Sequence, residues 1–423
     1  MENMTQLLIK KAIILAPESP FHLKKKDILI KNGLIEKVAD QIPEGKLKTI
    51  QAKNTYVSAG WVDIFADFCD PGFEHKEDLN SGKLAALKGG YTDVCLIPNT
   101  QPAVTGKGGV EWIKQKSDTV NLHPIGAISA KIEGKDLAEM YDMHQHGAVA
   151  FSDGTQSLQS AGLMLKALQY VKAFQGVIIQ VPEEKSISSH GLMHEGPVST
   201  ALGMQGKPAI AESIMVQRDL ALLRYTHSRL HFTGISTAAS INLIRKAKKE
   251  GLQVTCSVTP YHLLYTHEQL HQYNSIYKVN PPLRTESDRK ALLKAVEDGT
   301  IDCIASHHRP QDWDAKNKEF EYAANGMIGL QTVFSALLQT STTIPIERWI
   351  DMLTVAPRKI LGISAPVFAV GNSANLTIFN TDLRWKVDEQ SLKGKSFNTP
   401  FMHQTIQGKI LGVIHQHKIT LHE

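Results

Sequence analysis

The chain has 423 residues, of which 42% are hydrophobic and 21% are charged, an ordinary composition for a globular protein. Its 46 lysines and arginines nearly balance its 42 aspartates and glutamates, and the net charge of +4 does not indicate a nucleic-acid-binding surface. The apolar runs near the N-terminus are interrupted by Lys10, Lys11 and Pro17, so the sequence predicts neither a signal peptide nor a membrane span. We therefore expect a cytoplasmic protein.

Both ends of the chain have the pattern of short β-strands separated by turns. The N-terminal segments are "QLLIKKAIIL", "DILIKNGLIEKVAD" and "KTIQAKNTYVS", and the C-terminal ones are "NLTIFNTD" and "TIQGKILGVIHQHKITL". Four cysteines, Cys69, Cys95, Cys256 and Cys303, form no CxxC pair and are expected to be buried free thiols. We predict one small β-sandwich domain built from residues 1–58 and 362–423.

The middle of the chain, residues 59–361, alternates between strand-like and helix-like segments. Apolar strand patterns occur at 61–66, 92–97, 122–128, 147–151, 177–181, 230–235, 253–258 and 301–305. Each is followed by a segment whose apolar residues recur at helical spacing. This α/β alternation predicts a (β/α)8 barrel, in which functional residues lie in the loops that follow the strands.

Several ordered segments of the barrel region carry a resemblance to a known family. They include "GWVDIFADFCDPGFEHKEDLNSGKLAALKGGYTDVCLIPNTQPAV", "GAVAFSDGTQS", "LHFTGISTAASINLIRKAKKEG", "VTPYHL", "KVNPPLR", "IDCIASHHRP" and "TVAPRKILGI". Together they resemble the dihydroorotases of the cyclic amidohydrolase superfamily over nearly the whole chain. The resemblance implies a metal-binding barrel that hydrolyses a cyclic amide in pyrimidine synthesis. In that chemistry, imidazoles and a carboxylate hold a divalent metal whose bound water becomes the nucleophile.

The residues at the family's first motif differ from the type that this chemistry requires. The resemblance aligns the two histidines of the family's HxHxR motif with Phe65 and Asp67, and the arginine with Cys69. A phenyl ring cannot coordinate a metal, and a thiol lacks the forked donors that grip a carboxylate. The glutamate that precedes Pro-Gly in the family corresponds to Asp70. The motif is therefore changed at each of its three functional positions.

Later motifs continue this pattern. The resemblance aligns two further histidine ligands with Gln180 and Gly234, and the catalytic aspartate with His307, whereas the bridging carboxylate is retained as Asp153. We therefore expect no catalytic residue, no metal and no cofactor in this chain. Zinc is expected only if Asp67, Asp153 and His307 form a rebuilt site, because two carboxylates and an imidazole can bind a divalent ion.

Part of the substrate-facing surface survives. The resemblance implies substrate-binding roles for Asn99 in "PNT", Asn280 in "NPPLR" and His308 in "SHHRP". "PNT" and "NPP" are also good turn sequences, so the alternative is that the barrel keeps them for the geometry of its loops.

Two functional hypotheses follow. The first is a catalytically inactive dihydroorotase homologue that serves as a structural partner of aspartate carbamoyltransferase, since some bacterial carbamoyltransferases are similar in requiring such a homologue. The resemblance also implies a homodimer. The second is an active metal-dependent cyclic amidohydrolase with a non-standard site.

Overall fold

The structure is a computed structural model that describes residues 6–341 and 343–422. The strands in these ranges are β1 (Gln6–Leu15), β2 (Lys25–Lys31), β3 (Leu34–Ala39), β4 (Thr49–Ile50), β5 (Thr55–Ala59), β6 (Trp61–Ala66), β7 (Tyr91–Leu96), β8 (Asn121–Gly126), β9 (Ala150–Phe151), β10 (Ile178–Gln180), β11 (Met193–His194), β12 (Gly206–Lys207), β13 (Leu230–Phe232), β14 (Val254–Val258), β15 (Cys303–Ile304), β16 (Leu376–Lys386), β17 (Thr405–His415) and β18 (Lys418–Leu421).

Helices follow most of the barrel strands. The α-helices are α1 (Leu79–Lys88), α2 (Lys107–Gln115), α3 (Met140–Gln145), α4 (Ala161–Lys172), α5 (Lys185–Ser188), α6 (Pro197–Ala201), α7 (Ile210–Thr226), α8 (Ala238–Lys249), α9 (Pro260–Leu264), α10 (Glu286–Glu297), α11 (Trp313–Lys316), α12 (Val333–Thr340), α13 (Ile346–Leu353) and α14 (Val355–Leu361). Short 3-10 helices span Ala130–Ile132, His267–Leu270 and Ser275–Tyr277.

Eight parallel strands form the barrel sheet, in the order β15-β14-β13-β10-β9-β8-β7-β6. Each lies within one of the segments predicted from the sequence or is displaced from it by one residue. The sheet closes where Ala66 pairs with His308 in parallel and the Asp67 N–H donates to the His308 carbonyl (2.9 Å). The predicted barrel architecture is therefore confirmed.

Strands from both ends of the chain form a second, mixed sheet of eight strands. Its order is β18-β17-β16-β5-β1-β2-β3, with β4 paired to β1. The antiparallel pair β5 and β16 joins the two ends of the chain, with Val57 opposite Ile378. The expectation that the terminal segments combine into one β-structure is thus confirmed, whereas the boundaries at residues 58 and 362 remain predictions.

Trp61, at the start of β6, connects the barrel to the terminal sheet. Its indole contacts the rings of Tyr91 (6.0 Å between centroids), Phe334 (5.4 Å) and Phe379 (5.5 Å), and Phe379 belongs to β16. Inclined aromatic pairs of this kind add about 0.5–1.5 kcal/mol each to the burial of apolar area. This aromatic group fixes the lower end of the first barrel strand against the second sheet.

Two further expectations concern the cysteines and the membrane. All four cysteines are free and buried, as predicted. Over residues 6–341 and 343–422, no helix has both the length and the apolar character needed to cross a membrane.

A buried ion pair between Asp93 and Arg358 holds the lower end of the barrel. The Arg358 guanidinium donates to the Asp93 carboxylate (2.7 Å) and to the Gly60 carbonyl (2.8 Å), and both charged side chains are only 2% exposed. The carboxylate also accepts hydrogen bonds from the side chains of Asn121 and His123 (2.9 Å each). Burial acts to raise the pKa of Asp93. Hydrogen bonding to His123 and the charge of Arg358 outweigh burial and lower this pKa well below its usual value.

We predict that Arg358→Met lowers the free energy of unfolding by about 3–5 kcal/mol, because it leaves the Asp93 carboxylate buried without its cation. Equilibrium urea denaturation measures this loss. The matched control is Arg224→Met, which removes the half-exposed Arg224–Glu250 pair (2.8 Å) and should cost about 0–1 kcal/mol. Equal losses for the two variants would contradict the structural role of the buried pair.

Candidate site at the barrel mouth

A small cavity of about 30 Å³ lies at the carboxyl ends of the barrel strands, where the sequence places function. Its walls come from the last residues of β6 and from residues that follow β6, β7, β9, β10, β14 and β15. They are Phe65, Asp67, Ile97, Thr155, Val181, Tyr261, Val279, Asn280, His307, His308, Arg309 and Gly326. Most of this wall is apolar or aromatic, and its charged members are Asp67 and Arg309.

Phe65 and His307 form one packed unit in this cavity. Their rings lie 4.7 Å apart between centroids, inclined by 32°, and both side chains are buried. Gly234 makes room for the imidazole: its φ is +71°, and a Cβ built there would lie 2.7 Å from His307 Cε1. Phe65, Gly234 and His307 are therefore fitted to one another sterically.

The imidazole of His307 is held neutral. Its Nε2 lies 2.8 Å from the hydroxyl of Thr233. Burial, with nearby His262 and the positive charge of Arg309, lowers the pKa of His307 to about 3. A neutral ring with so low a pKa is a poor proton carrier near pH 7.

Asp67 and Cys69 organise the turn after β6. The Asp67 carboxylate accepts the Cys69 backbone N–H (2.8 Å), and Cys69 has a positive φ of 59°. Burial and the Asp67 charge raise the pKa of the Cys69 thiol, so it stays protonated. Asp70 accepts the backbone N–H of Leu79 (3.1 Å), the first residue of α1. These side chains shape the loop.

The retained carboxylate, Asp153, is bound to protein donors. Its Oδ1 accepts the backbone N–H groups of Ile128 and Ser129 (2.9 Å each), and its Oδ2 accepts the Ser129 hydroxyl (2.5 Å). The residue is 2% exposed, and burial raises its pKa. Asp153 is not among the residues that line the cavity.

The side-chain amide of Gln180, at the end of β10, is likewise hydrogen-bonded to other residues of the protein. Its Oε1 accepts the Leu158 N–H (3.3 Å) and its Nε2 donates to the Asp219 carboxylate (3.3 Å). Arg218 pairs with the same carboxylate (2.7 Å), and burial raises the pKa of Asp219 to about 6. The amide therefore belongs to a structural network.

Of the three residues with expected substrate contacts, the structure brings Asn280 and His308 to the cavity. Asn99 instead donates to the Asp153 carbonyl (3.1 Å) and accepts the Thr155 N–H (3.0 Å). The Asn280 amide donates to Glu183 (2.9 Å) and accepts from the Lys207 ammonium (2.8 Å). Both amides thus have a protein partner at the nitrogen and at the oxygen.

His308 has one free ring nitrogen. Its Nδ1 accepts the Gly329 N–H (3.2 Å), whereas Nε2 has no hydrogen-bond partner within the described ranges. The nearest acidic atom is Oε2 of Glu77, 3.8 Å away, which is buried and equally unpartnered. This imidazole lies between the cavity and a buried carboxylate.

Comparison with known proteins identifies the family. A family model described as dihydro-orotase-like matches residues 55–240. The dihydroorotase of Acetivibrio thermocellus is 39% identical over 390 residues, covering 91% of this chain and 92% of that protein. The dihydroorotase of Caldicellulosiruptor saccharolyticus is 38% identical and covers 98% of both chains. The chain belongs to the dihydroorotase family. Its relatives are cyclic amide hydrolases of pyrimidine biosynthesis.

Solved structures support the fold. The L-hydantoinase (dihydropyrimidinase) of Arthrobacter aurescens superposes with a TM-score of 0.84 at 23% identity, covering 98% of this chain and 96% of that one. A D-hydantoinase gives a TM-score of 0.81 at 19% identity. These likenesses establish that the barrel and the terminal sheet have the arrangement of the hydantoinases.

The residues at the mouth do not fit the divalent metal that dihydroorotase chemistry implies. Across residues 6–341 and 343–422, no three His, Cys, Asp or Glu side chains are grouped so that they can hold a metal ion. Asp67 and His307 share the cavity, but Asp153, the third member of the rebuilt site considered from the sequence, is occupied by Ser129 and backbone N–H groups. Each of these three groups already has a protein partner.

Two side chains at or near the mouth were not identified from the sequence. Arg309, which lines the cavity, follows His308 within the quoted "SHHRP" segment, and Thr233, which contacts His307, precedes Gly234 within "FTGIST". The available signal was that both lie in the segments that follow barrel strands, β15 and β13, because the ends of barrel strands line the mouth.

We predict that Gly234→Ala destabilises the protein by about 1–3 kcal/mol more than Gly362→Ala, because only the first added methyl group overlaps His307. The control is matched in backbone: Gly362 has φ +69° and no atom within 4 Å of a built Cβ. Urea denaturation of both variants measures the difference. Adding His307→Ala to Gly234→Ala should remove most of the excess, and an unchanged excess would contradict the steric explanation.

A second prediction concerns pH. Because the His307 pKa is lowered to about 3 in the folded state and is about 6.5 when unfolded, its contribution to stability is fully present above pH 6.5. Between pH 6.5 and 3 the unfolded chain binds the extra proton, so that contribution is lost as pH falls. As the pH falls through this window, the free energy of unfolding of the wild type should decrease relative to that of His307→Gln by about 1.4 kcal/mol per pH unit. Urea midpoints at pH 7, 6 and 5 test this, and parallel pH profiles would refute it.

Proposed function

We propose that this protein is a non-catalytic member of the dihydroorotase family that acts in the cytoplasm as a structural partner of aspartate carbamoyltransferase. We further propose that it forms a homodimer. The observation that carries the loss of catalysis is Phe65. A buried phenyl ring, packed 4.7 Å from His307, stands where the family resemblance places the first metal ligand.

The chemistry of the remaining positions supports this proposal. A metal-activated hydroxide requires several imidazole or carboxylate ligands and a proton acceptor whose pKa lies near the working pH. The side chains of Phe65 and Gly234 offer no lone pair, and the Gln180 amide is bound to Leu158 and Asp219. His307, at the position of the family's catalytic aspartate, is neutral and has a pKa of about 3.

The retained polar residues are compatible with structural roles. Asp153 fixes the backbone after β8 through Ile128 and Ser129, and Asn99 connects the loops after β7 and β9. We propose that these side chains, with Asn280, are kept for the geometry of the loops. A rebuilt metal site would require Asp153, which does not line the cavity, to turn toward the mouth and away from its hydrogen-bond donors Ile128 and Ser129.

The catalytic part of the proposal is tested by loading the purified protein with Zn²⁺, desalting it, and measuring bound metal and dihydroorotate turnover. We expect less than stoichiometric zinc and no turnover above the free metal. Turnover that is abolished by Asp153→Ala, and unaffected by replacing the exposed carboxylate in Asp314→Ala, would overturn the proposal in favour of an active amidohydrolase with a non-standard site.

The partner is tested by co-expression with aspartate carbamoyltransferase from the same organism. Size-exclusion chromatography with light scattering should show a stable complex, and carbamoyltransferase activity should depend on its presence. A carbamoyltransferase that stays separate and fully active at micromolar concentrations would refute the structural role. The mass of the free protein tests the homodimer in the same experiment.

A further inference from the structure

A second cavity opens at the opposite end of the barrel from the mouth. Its volume is about 460 Å³, against about 30 Å³ at the mouth, and lies within the range of small-molecule pockets, about 300–1,000 Å³. Its walls include Arg229, Gln253 and Asp302, which directly precede β13, β14 and β15, together with Arg348 of α13 and Lys359 of α14. We call this space, at the amino ends of the strands, the lower cavity.

The two carboxylates that line the lower cavity each have a cationic partner. The Lys248 ammonium donates to both oxygens of Asp302 (2.7 and 2.6 Å), and the Arg348 guanidinium donates to Asp351 (3.1 Å). Because each carboxylate is balanced by a cation, these pairs add little net charge to the cavity. The charge of the lower cavity is therefore set by the cations that remain.

Arg229 and Lys359 are those cations, and they lie close together. The Arg229 guanidinium donates to the carbonyl of Ile360 (2.7 Å), the residue that follows Lys359, and to the carbonyl of Gln175 (2.9 Å). These backbone acceptors fix the guanidinium without neutralising its charge. Neither cation forms an ion pair within residues 6–341 and 343–422, and no carboxylate in these ranges opposes the lowering of the Arg229 pKa by burial.

The free donors of these two side chains match a phosphate group. A guanidinium has five N–H donors, and backbone carbonyls use two of those of Arg229, so three have no partner among the described residues. The Lys359 ammonium is exposed and forms no hydrogen bond in the same part of the chain. Guanidinium forks bind phosphate oxygens in pairs, and an ammonium adds a compact charge. Two positive charges balance a phosphate monoester, which carries about −1.5 to −2 charges at pH 7.

We propose that the lower cavity binds a small organic phosphate monoester, whose phosphate is held by Arg229 and Lys359. The cavity also contains apolar side chains, among them Leu252, Val254 and Val355, and these contact the organic body of the ligand. A ligand with a single negative charge leaves one of the two cations unbalanced and binds less tightly. The proposal requires no metal, no turnover and no partner protein, so it goes beyond the proposed structural function, and its failure would leave that function untouched.

The alternative is that Arg229 serves stability alone, as residues at the amino ends of barrel strands generally do. Its hydrogen bond to the Ile360 carbonyl fastens α14 to the start of β13. That role needs no second cation and no open space beside the guanidinium. The two explanations differ at Lys359, because this exposed side chain contributes to ligand binding in the first and to nothing in the second.

The test is a fluorescence titration at pH 7.5 with 1-naphthyl phosphate, and with naphthalene-1-sulfonate as a singly charged ligand of similar shape. We expect saturable binding of the phosphate ester, about tenfold tighter than that of the sulfonate. Lys359→Met and Arg229→Met should each weaken binding of the phosphate ester about tenfold. At pH 5.5 the phosphate, whose second pKa is about 6, takes up a proton, so its affinity should fall about threefold while that of the sulfonate stays constant.

Matched variants locate the site and separate binding from folding. Lys166→Met, at an exposed lysine of α4 outside the cavity, and Arg309→Met, at the mouth, should leave binding of the phosphate ester unchanged. Denaturation midpoints show whether Arg229→Met, which loses two hydrogen bonds to the backbone, stays folded, and Lys359→Met decides the outcome if it does not. Equal affinities for the two ligands, binding that is insensitive to Lys359→Met, or binding that is lost in Arg309→Met would each overturn the proposal.

Discussion

The seam between the first and last barrel strands is the contact on which the mouth depends. Asp63 in β6 accepts the backbone N–H of Ser306 (2.8 Å) and also its hydroxyl, across 243 residues of sequence. Burial raises the pKa of Asp63 to about 6, although the hydrogen bonds to Ser306 oppose this shift. By closing the sheet here, the seam brings Phe65 against His307, with 4.7 Å between the ring centroids.

Asp93 and Asp63 are both buried carboxylates of the barrel strands, but their surroundings differ. Asp93 is paired with Arg358 and surrounded by donors, so its carboxylate is stable as an anion. Among the described residues, Ser306 is the side chain that donates to Asp63, and burial outweighs its effect on the Asp63 pKa. The number of donors around Asp93, from His123, Asn121 and Arg358, therefore distinguishes its lowered pKa from the raised pKa of Asp63.

At the ends of the barrel strands, buried polar side chains form their hydrogen bonds with other groups of the protein. Asp153 takes two backbone N–H groups and a serine hydroxyl, while Gln180 joins Asp219. Arg309 is different, because it projects into the mouth without a partner among the described residues.

The eight barrel strands and the joining of the two termini followed from the sequence, because apolar periodicity and turn residues report local structure and burial. Motif order likewise indicated which residues follow each strand, and hence that Phe65, Asp67, His307 and His308 share the mouth. The sequence could not indicate that Asp153 faces Ser129, or that Asn99 is bound to Thr155, since these partners come from other loops.

The sequence by itself determined the fold, the family and the type of residue at each motif position. Only the tertiary structure decided which polar atoms remain available to a ligand. Hydrogen-bond satisfaction depends on neighbours that are distant in the chain, and the same carboxylate or imidazole is free or saturated according to what packs beside it. For that reason the sequence indicates only that His307 stands at the position of the family's catalytic aspartate. In the fold, His307 contacts Thr233, which is hydrogen-bonded to Ser257 inside the barrel.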